Sequence, residues 1–453
     1  MSTLMVSVSG IRGIVGDGLD PHTIVNYTSA YADFIGKGKI VIGRDARISG
    51  EMVNNLVAGT LVAKGLDVIN LGICPTPTVQ FTVKELNADG GIAISASHNP
   101  NEWNALKLLN STGQFMTPDE NKRMLDMLSY NTTGFKRWDK LGNVTDFNEG
   151  IHNHINAVLN MKHIELNLIK DKKIKVLVDC VNGAGAYVIP DLLKEFGCEV
   201  VELNCEKTGV FPRLPEPIPE NLIETMKAVK DVDVDLGIVV DPDVDRLVLI
   251  TNEGEPFGEE NTITQAVNFV LSQEKGNVVV NLSTTRAVDD IAHRYGCETF
   301  RSPVGEANVV IKMKELNAVI GGEGSGGVIY PALHYGRDAL VAIGLILQSL
   351  ANFRGTIAEL KNTLPQYSIR KSKIDIADIN PNKIIEALMN KYSNEKIDTG
   401  DGLRIDFEDH WVHFRKSNTE PIVRIIIEAK TDKEAEKLAD KFKSEIMEII
   451  EKS

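Results

Sequence analysis

Three stretches of the chain repeat one order of short Val/Ile-rich runs, and this repetition restricts the fold more than any other feature. The runs lie at 39–43, 65–71 and 90–97, at 173–179, 197–203 and 235–241, and at 276–282, 296–300 and 318–323. Helix-like segments separate them, which is the pattern of βαβ units around a mostly parallel sheet buried on both faces. The sequence therefore predicts three α/β units of related topology, although any doubly wound fold carries some self-similarity.

The last part of the chain has a different pattern. Helical stretches are expected near 381–392 and 431–451, and strand-like runs lie between them at 402–407, 411–414 and 422–428. This arrangement predicts a small α+β domain with an antiparallel sheet. Because 453 residues are too many for one compact core, we expect four domains. Their predicted bounds are 1–150, 151–253, 254–366 and 367–453.

Charge and cysteine content restrict the partners and the compartment. The net charge of −14 argues against general nucleic-acid binding, although a local arginine cluster can still bind a phosphorylated substrate. The N-terminus lacks a secretory signal pattern, and the apolar run near 339–350 is too short to span a bilayer, so we expect a buried helix there. No C-x-x-C pair occurs among the five cysteines, which predicts free thiols in a cytoplasmic protein. Because no segment is long enough to span a bilayer, we also expect no membrane partner.

The third run of each α/β unit ends in an unusual polar loop. We name these segments the serine loop (95–100), the aspartate loop (241–246) and the glycine loop (322–327). Ligands of open α/β sheets bind beyond the carboxyl ends of the strands. Equivalent loops from three related units are therefore expected to converge on one cleft.

The aspartate loop predicts a divalent cation site. Asp241, Asp243 and Asp245 alternate, so in an extended segment their carboxylates project to one side. Carboxylates held together repel unless a cation lies between them, and oxygen ligands favour Mg²⁺ or Ca²⁺. An EF-hand is excluded because Arg246 replaces its glycine and Asn252 its bidentate glutamate. A solvated acidic turn is the alternative.

The serine loop places Ser97 directly before His98. Adjacent residues of an extended chain point to opposite sides, and no G-x-S-x-G elbow surrounds Ser97, so a Ser-His hydrolase is disfavoured. A phosphorylated Ser97 fits better, since its phosphate would add an anionic oxygen to the three-aspartate cation site. A turn serine without function is the alternative.

Two further loops carry polar groups suited to a phosphosugar. In the tail loop (415–424), Arg415 and Arg424 flank a turn rich in hydrogen-bond donors, which suits phosphate but is also typical of a hairpin. The glycine loop matches G-x-G-x-x-G, but it follows a third strand rather than a first. We therefore interpret Glu323 and Ser325 as groups that contact sugar hydroxyls. The donors of the tail turn are Ser417, Asn418 and Thr419.

Three basic residues have a functional and an ordinary interpretation. Arg12 and Arg44 lie in Gly-flanked loops and could neutralise phosphate, or they could be surface arginines. Lys107 interrupts an apolar run. Burial would lower its pKa enough for proton transfer, whereas a snorkelling lysine would keep its head in water.

Together, in this order and over essentially the whole chain, the four loops resemble those of the α-D-phosphohexomutases. This family includes phosphoglucomutase, phosphomannomutase and phosphoglucosamine mutase. The resemblance implies that Ser97 is phosphorylated and that its phosphate holds Mg²⁺ with Asp241, Asp243 and Asp245. It implies roles in proton transfer and at the transferring phosphate for His98, Lys107, Arg12, Arg44 and Arg246. Substrate binding would fall to Glu323, Ser325, Arg337, Arg415, Ser417, Asn418, Thr419 and Arg424.

The implied reaction interconverts hexose 6-phosphate and hexose 1-phosphate through phosphoserine, with hexose 1,6-bisphosphate as activator and intermediate. The segments 9–13 and 331–338 favour glucosamine phosphate, with mannose and glucose phosphates as alternatives. Where many members place His after Ser-Gly, the glycine loop has Gly327. A haloacid-dehalogenase-type phosphatase would need Thr or Val at Asp245, and a non-catalytic sensor would need neither Ser97 nor the aspartates. Monomer, homodimer and tetramer all stay open.

Overall fold

Four β-sheets follow one another along the chain in the computed structural model, which describes residues 2–7, 10–129, 134–376, 380–416 and 422–451. The sheets contain eight, four, four and five strands. Strands and α-helices are numbered here in chain order. Among the helices that the structure describes, none combines the length and apolar character that a bilayer crossing requires.

The first sheet is mixed and belongs to the N-terminal domain. Its strands are β1 (Met5–Ser7), β2 (Gly10–Val15), β3 (Gly18–Leu19), β4 (Lys39–Arg44), β5 (Asp67–Ile73), β6 (Gly90–Ile94), β7 (Trp103–Leu109) and β8 (Val144–Asp146). The helices of this region are α1 (Pro21–Ile35), α2 (Gly50–Ala63), α3 (Thr76–Glu85) and α4 (Pro118–Ser129). The strand order is β1-β2-β7-β6-β4-β5-β8, and β3 pairs with β2.

The second and third sheets have four strands each. The second region comprises α5 (Gly150–Leu159), α6 (Leu166–Lys172), β9 (Lys175–Asp179), α7 (Ile189–Glu195), β10 (Glu199–Leu203), α8 (Ile223–Val232), β11 (Leu236–Val240) and β12 (Leu247–Thr251). The third comprises α9 (Glu259–Gln273), β13 (Val278–Asn281), α10 (Ala287–Arg294), β14 (Thr299–Ser302), α11 (Glu306–Glu315), β15 (Ile320–Glu323), β16 (Gly327–Ile329), α12 (Ala339–Asn352) and α13 (Ile357–Asn362).

One strand order is common to all three units: β5-β4-β6-β7, β10-β9-β11-β12 and β14-β13-β15-β16. Within each unit the first three strands are parallel and the fourth is antiparallel. The predicted fold class of three related α/β domains is therefore confirmed. The sequence interpretation did not include the fourth strands. Each fourth strand runs antiparallel to the third strand and follows it after a polar loop. The serine, aspartate and glycine loops therefore lie at the carboxyl ends of the parallel strands.

The C-terminal domain has a fully antiparallel sheet, as expected. Its elements are β17 (Ser368–Asp375), α14 (Pro381–Lys391), β18 (Lys396–Asp398), β19 (Leu403–Asp406), β20 (Trp411–Lys416), β21 (Ile422–Ala429) and α15 (Asp432–Glu451). The strand order is β17-β21-β20-β19-β18. The sequence did not reveal β17, which is mostly polar, or β18, which has three residues. The four domain boundaries stay predictions.

Helix α12 joins the cores of the second and third domains. Every residue from Ala339 to Ala351 is buried, which confirms the buried helix expected there. One hydrophobic cluster runs through both domains, whereas the first and last domains have separate clusters. The helix begins after Asp338, whose side chain accepts hydrogen bonds from the first-turn N–H groups of Leu340 and Val341. Residue 337 is thereby fixed at the end of a rigid element.

Candidate active site

Ser97 follows β6 and points at the aspartate loop. Its φ is 50°, a left-handed conformation that is uncommon for residues other than glycine. The N–H of Ser97 donates to Ser95 Oγ at 2.9 Å, and Arg47 Nη2 donates to its carbonyl at 2.7 Å. These bonds hold a turn in which Ser97 Oγ donates to Asp241 Oδ2 at 2.8 Å. The structure thus brings the serine hydroxyl to the first aspartate.

The left-handed turn also changes the position of His98. Its Nδ1 lies 3.4 Å from Ser97 Oγ. The expectation that the two side chains point to opposite sides is wrong, because Ser97 is not extended. Burial, together with Arg246 and Arg12, lowers the pKa of His98 to about 3. The imidazole is therefore neutral at neutral pH.

The aspartate loop gathers its three carboxylates within a turn. Oxygens of Asp241, Asp243 and Asp245 lie within 4.8 Å of one another, and all three residues are buried. The loop is not extended as the alternation suggested, since Val244 has a φ of 65°, an outlier for a β-branched residue. The N–H groups of Asp245 and Arg246 donate to Asp241 Oδ1 at 3.1 and 3.2 Å. The turn therefore folds around the first carboxylate.

One oxygen of each of the other two aspartates is bound by a basic side chain. Lys107 Nζ lies 2.6 Å from Asp243 Oδ2, and Arg337 Nη2 lies 2.6 Å from Asp245 Oδ2. The Oδ1 atoms of both aspartates are buried and have no hydrogen-bond partner among the described residues. Buried carboxylate oxygens without partners are costly. Since all the free ligands are oxygens, the residues fit Mg²⁺.

The charges of the site shift the pKa values of its groups. Burial, with Asp245 and Asp243 adding, raises the pKa of Asp241 well above its usual range. Burial also acts to raise the pKa of Asp243, but Lys107 and Thr76 outweigh it and lower that pKa. Burial acts to lower the pKa of Lys107, but Asp243 and Asp245 outweigh it and the pKa is raised. The expected lowering at Lys107 is therefore wrong, because the ammonium is buried against carboxylates rather than apolar groups.

The start of α3 supports the aspartate loop from the first domain. The N–H of Thr76 donates to the Asp243 carbonyl at 3.0 Å, and its Oγ1 donates to Asp243 Oδ2 at 2.5 Å. Sequence reasoning missed Thr76, because a threonine at the start of a helix is common and nothing local marks this one.

The glycine loop contributes Glu323 to the same region. Glu323 Oε1 accepts from Asn281 Nδ2 at 2.8 Å and from the N–H of Gly305 at 2.9 Å. Its Oε2 accepts from Arg337 Nη1 at 2.7 Å, and Arg337 Nε donates to Glu306 Oε2 at 3.2 Å. Burial raises the pKa of Glu306 to about 7. Glu306 was also missed from the sequence, since it opens a helix outside the four loops.

A cavity of about 620 Å³ lies between these groups. This volume falls in the range of small-molecule sites, which is roughly 300–1,000 Å³. Most of the predicted site residues of the first three domains face it. Its polar lining comprises Ser7, Arg12, Ser97, His98, Lys107, Asn121, Arg246, Glu306, Asn308, Glu323 and Arg337.

Five predicted residues of the first three domains do not line the cavity: the three aspartates, which bond to the lining residues Ser97, Lys107 and Arg337, and also Arg44 and Ser325. Arg44 Nη1 is 3.4 Å from the Asp45 carbonyl, and Ser325 is half-buried in the turn between β15 and β16. Neither lines the cavity within the described part of the chain. Arg47, which sequence reasoning missed, is the arginine of that segment that contacts the serine loop. Outside the described residues lie Ser417, Asn418 and Thr419.

A row of basic residues crosses the C-terminal sheet next to the tail loop. Arg415 and Arg424 are directly opposite each other on β20 and β21, and Lys373 on β17 is opposite Arg424. Like charges in such cross-strand positions repel unless an anion neutralises them. Arg415 Nη2 lies 2.9 Å from Asp401 Oδ2, which accepts the N–H of the cavity residue Val304 at 3.0 Å. The basic row is therefore linked to the cavity.

Four family models match the chain in succession. Three describe the α/β/α domains I, II and III of phosphoglucomutase/phosphomannomutase, and the fourth describes its C-terminal domain. The matched residues are 4–133, 152–254, 260–367 and 376–445.

Curated relatives and a solved structure are similar over nearly the full length. A "Probable phosphoglucosamine mutase" of Methanopyrus kandleri is 33% identical over 448 residues, which cover 98% of each chain. A "Phosphoglucomutase/phosphomannomutase" of Thermococcus kodakarensis is 36% identical over 436 residues, 94% of each chain. The crystal structure of a phosphoglucomutase/phosphomannomutase family protein from Burkholderia thailandensis aligns with a TM-score of 0.86 at 25% identity, over 98% of each chain. The chain therefore belongs to the phosphoglucomutase/phosphomannomutase family, the phosphohexomutases.

Proposed function

We propose that this isomerase interconverts hexose 6-phosphate and hexose 1-phosphate through a phosphorylated Ser97, with glucosamine phosphate as its preferred substrate. The observation that carries the proposal is the 2.8 Å bond between Ser97 Oγ and Asp241 at the edge of the cavity. A phosphate on Ser97 would lie beside the three carboxylates, where a shared cation would neutralise the repulsion.

The aspartates, together with the serine phosphate, would hold Mg²⁺. The free Oδ1 atoms of Asp243 and Asp245 are the ligands available within the described structure. When bound, Mg²⁺ would neutralise charge on the transferring phosphoryl group. Lys107 and Arg337 would keep the opposite oxygens of these two aspartates fixed.

The transfer itself needs positioning and charge neutralisation more than covalent assistance. The free hydroxyl of the hexose monophosphate attacks the phosphorus on Ser97, so the bond from phosphorus to Oγ breaks as the bond to the sugar oxygen forms. His98 accepts the hydroxyl proton and passes it to the departing Ser97 Oγ, which lies 3.4 Å from its Nδ1, so that Ser97 ends as a neutral hydroxyl. The nearby phosphate charge would raise the pKa of His98 towards the working range. Arg12 and Arg246 line the cavity where the phosphoryl oxygens would lie.

The product of this first transfer is a hexose 1,6-bisphosphate. After it turns over in the cleft, its other phosphoryl group returns to Ser97 by the reverse step and leaves the isomeric monophosphate. The phosphate that is not reacting would bind to the tail loop through Arg415, Arg424 and the turn donors Ser417, Asn418 and Thr419. A fixed distal phosphate suits a site that must accept the sugar in two orientations.

Two carboxylates in the cavity favour an amino sugar. Glu306 and Glu323 both line it and share the guanidinium of Arg337. Burial raises the pKa of Glu306 to about 7 although Arg337 acts to lower it, so a further positive charge beside this carboxylate would be favourable. The C2 ammonium group of glucosamine phosphate would supply one. Mannose and glucose phosphates are the alternatives.

All five cysteines lie in the described structure and are free, which supports a cytoplasmic location.

A mutase assay on glucosamine, mannose and glucose 6-phosphates, with catalytic hexose 1,6-bisphosphate, tests the function. Ser97→Ala should lose turnover by about 10³-fold or more, with substrate affinity by calorimetry within roughly threefold. Ser29→Ala is the control, because Ser29 is buried in the same domain and its Oγ has no hydrogen-bond partner among the described residues. Near-normal turnover in Ser97→Ala would remove the phosphoserine mechanism. A phosphate label that hydroxylamine releases would instead indicate an aspartyl phosphate and a phosphatase.

A further inference from the structure

We infer that Arg337 is a positioning residue that couples cation binding at the aspartate loop to sugar binding at Glu323. The inference rests on the proposed function, because it concerns the Mg²⁺ and phosphosugar that this function requires. Arg337 was expected from the sequence to bind substrate. Its three side-chain partners in the structure are carboxylates, which points to an action through other residues.

The guanidinium of Arg337 is shared between two parts of the site. Its Nη2 bonds to Asp245 Oδ2 at 2.6 Å, its Nη1 to Glu323 Oε2 at 2.7 Å and its Nε to Glu306 Oε2 at 3.2 Å. The arginine side chain is 12% exposed and the three carboxylate side chains are 1%, 7% and 4% exposed. Because a guanidinium is planar and rigid, a shift at one end moves the other. The cation site and the glycine loop are thereby joined by one group.

At the cation end, Arg337 determines which oxygen of Asp245 is available. It occupies Oδ2, so Oδ1 is left buried without a hydrogen bond within the described structure. Residues that orient a metal-binding carboxylate in this way affect metal affinity without touching the metal. A lysine at this position would be a point charge and could not bond to Asp245 and Glu323 with the same fork.

At the sugar end, Arg337 completes the set of bonds that fixes Glu323. Asn281 and the N–H of Gly305 hold Oε1, so Arg337 is the group that fixes Oε2. A cation that takes up charge from Asp245 weakens the attraction of that carboxylate for Arg337. The guanidinium is then held more strongly by Glu323 and Glu306, which orders both for the sugar. The coupling is therefore expected to be positive, and it must be reciprocal.

The main chain at Arg337 is anchored by its neighbour Asp338, so a shift of the guanidinium is not absorbed by movement of the main chain. Asp338 caps α12 with Oδ1, and its Oδ2 accepts from His154 Nε2 at 2.8 Å and from His334 Nε2 at 2.9 Å. These anchoring residues are buried: Asp338, His154, His334 and the helix residue Ala339. The side chain of Arg337 thus extends from a fixed point.

The test measures Mg²⁺ affinity by calorimetry on the full chain, without and with a saturating 1-deoxy analogue of glucosamine 6-phosphate. This analogue lacks the C1 hydroxyl that would accept a phosphoryl group, so only binding is observed. In the unaltered chain the analogue should tighten Mg²⁺ binding about fivefold or more. In Arg337→Lys, Mg²⁺ binding alone should weaken by about 10- to 100-fold, and the analogue should change it by less than about twofold.

Two further variants separate coupling from a general loss of structure. Glu323→Gln alters the other end of the bridge and should also abolish the coupling. Arg213→Lys is the matched control and should keep it, because Arg213 bonds to the buried Asp179 at 3.0 Å with a similar exposure of 14% in the second domain. Circular dichroism verifies that each variant is folded.

The outcomes distinguish this inference from the proposed function. Coupling that persists in Arg337→Lys, or that is absent from the unaltered chain although both ligands bind, overturns the inference and leaves the proposed function intact. Failure of every hexose phosphate and of the analogue to bind the unaltered chain with Mg²⁺ overturns the proposed function, and the inference falls with it.

Discussion

Ser97 and Val244 adopt left-handed backbone conformations where the serine and aspartate loops meet. Such conformations cost about 1–3 kcal/mol each and persist only when the surrounding structure enforces them. Arg47 binds the carbonyl of Ser97, and the N–H of Ala339 donates to the carbonyl of Val244 at 3.2 Å. Both restraints come from elements outside the loop they hold. The strained residues therefore aim the serine hydroxyl and the carboxylates at each other.

Changing Glu306 should alter the choice of sugar. Glu306→Gln removes the charge that we expect to bind the C2 ammonium group. It should lower kcat/KM for glucosamine 6-phosphate about tenfold, since a hydrogen bond to a charged group contributes about 1.5–3 kcal/mol. The value for mannose 6-phosphate should stay within about twofold. Parallel kinetics on the two substrates measure the difference.

Glu315→Gln is the control for this prediction, because Glu315 lies on the same helix and its side chain is 57% exposed. An equal loss for both sugars in Glu306→Gln would show that the residue supports the cavity without reading the amino group.

At the level of elements, α3 of the first domain supports the cation site of the second. Thr76 binds both the carbonyl and the side chain of Asp243. The two domains therefore meet at the proposed metal ligand. Thr76 thus adds to the bonds from Lys107 and Arg337 that hold a loop whose three buried carboxylates repel one another.

Thr76→Val keeps the shape of the side chain and removes its hydroxyl. It should weaken Mg²⁺ binding about tenfold, because Asp243 loses a group that fixes its orientation. Calorimetric titration with Mg²⁺ measures this change. Thr82→Val on the same helix is the matched control, since Thr82 is buried and its Oγ1 has no hydrogen-bond partner in the described structure. Equal weakening in both variants would contradict the prediction.

At the level of the whole molecule, His413 links the last two domains. Its Nδ1 lies 2.9 Å from Ser283 Oγ in the third domain, and its Nε2 lies 2.6 Å from the carbonyl of Asp401. Burial, with a contribution from Arg415, lowers the pKa of His413 to about 4. The imidazole of His413 therefore stays neutral in the folded chain at pH values where it is protonated in the unfolded chain, in which its pKa is near 6.5. Acid should therefore weaken this interface.

The sign of this effect gives a prediction for stability. Between about pH 6.5 and 4 the unfolded state binds more protons at residue 413 than the folded state does, so the free energy of unfolding falls as pH falls. His413→Gln should reduce that slope by up to about 1.4 kcal/mol per pH unit. Urea unfolding, followed by the fluorescence of the nearby Trp411, measures the slope of the free energy of unfolding against pH.

His22→Gln, at an exposed position on α1, is the control and should leave the slope unchanged. The same slope in His413→Gln and the unaltered chain would rule out His413 as the source of acid sensitivity.

The sequence predicted features that depend on neighbouring residues and missed several that depend on contacts between residues distant in the chain. Apolar runs mark the first three strands of each unit, and these nine strands were located, whereas β3 and β8, which also pair in parallel, were not. The strands β16 and β18 have three residues each and β17 alternates polar residues, so local composition gave little signal for them. The fourth strands β7 and β12 are apolar, but the sequence interpretation ended each unit at its polar loop and so left them out. The loops were located by their residue types. Thr76, Arg47 and Glu306 were missed, because they act on partners from other loops or domains.

By itself, the sequence determined the three-unit architecture and the loops that carry the polar groups, because residue type and the position after an apolar strand are local properties. Only the tertiary structure decided that the hydroxyl of Ser97 meets Asp241, 144 residues away. It also decided that Lys107 has a raised pKa and that Arg337 bonds to three carboxylates. Contacts and pKa values depend on distances between groups from different domains, and those distances exist only in the folded chain.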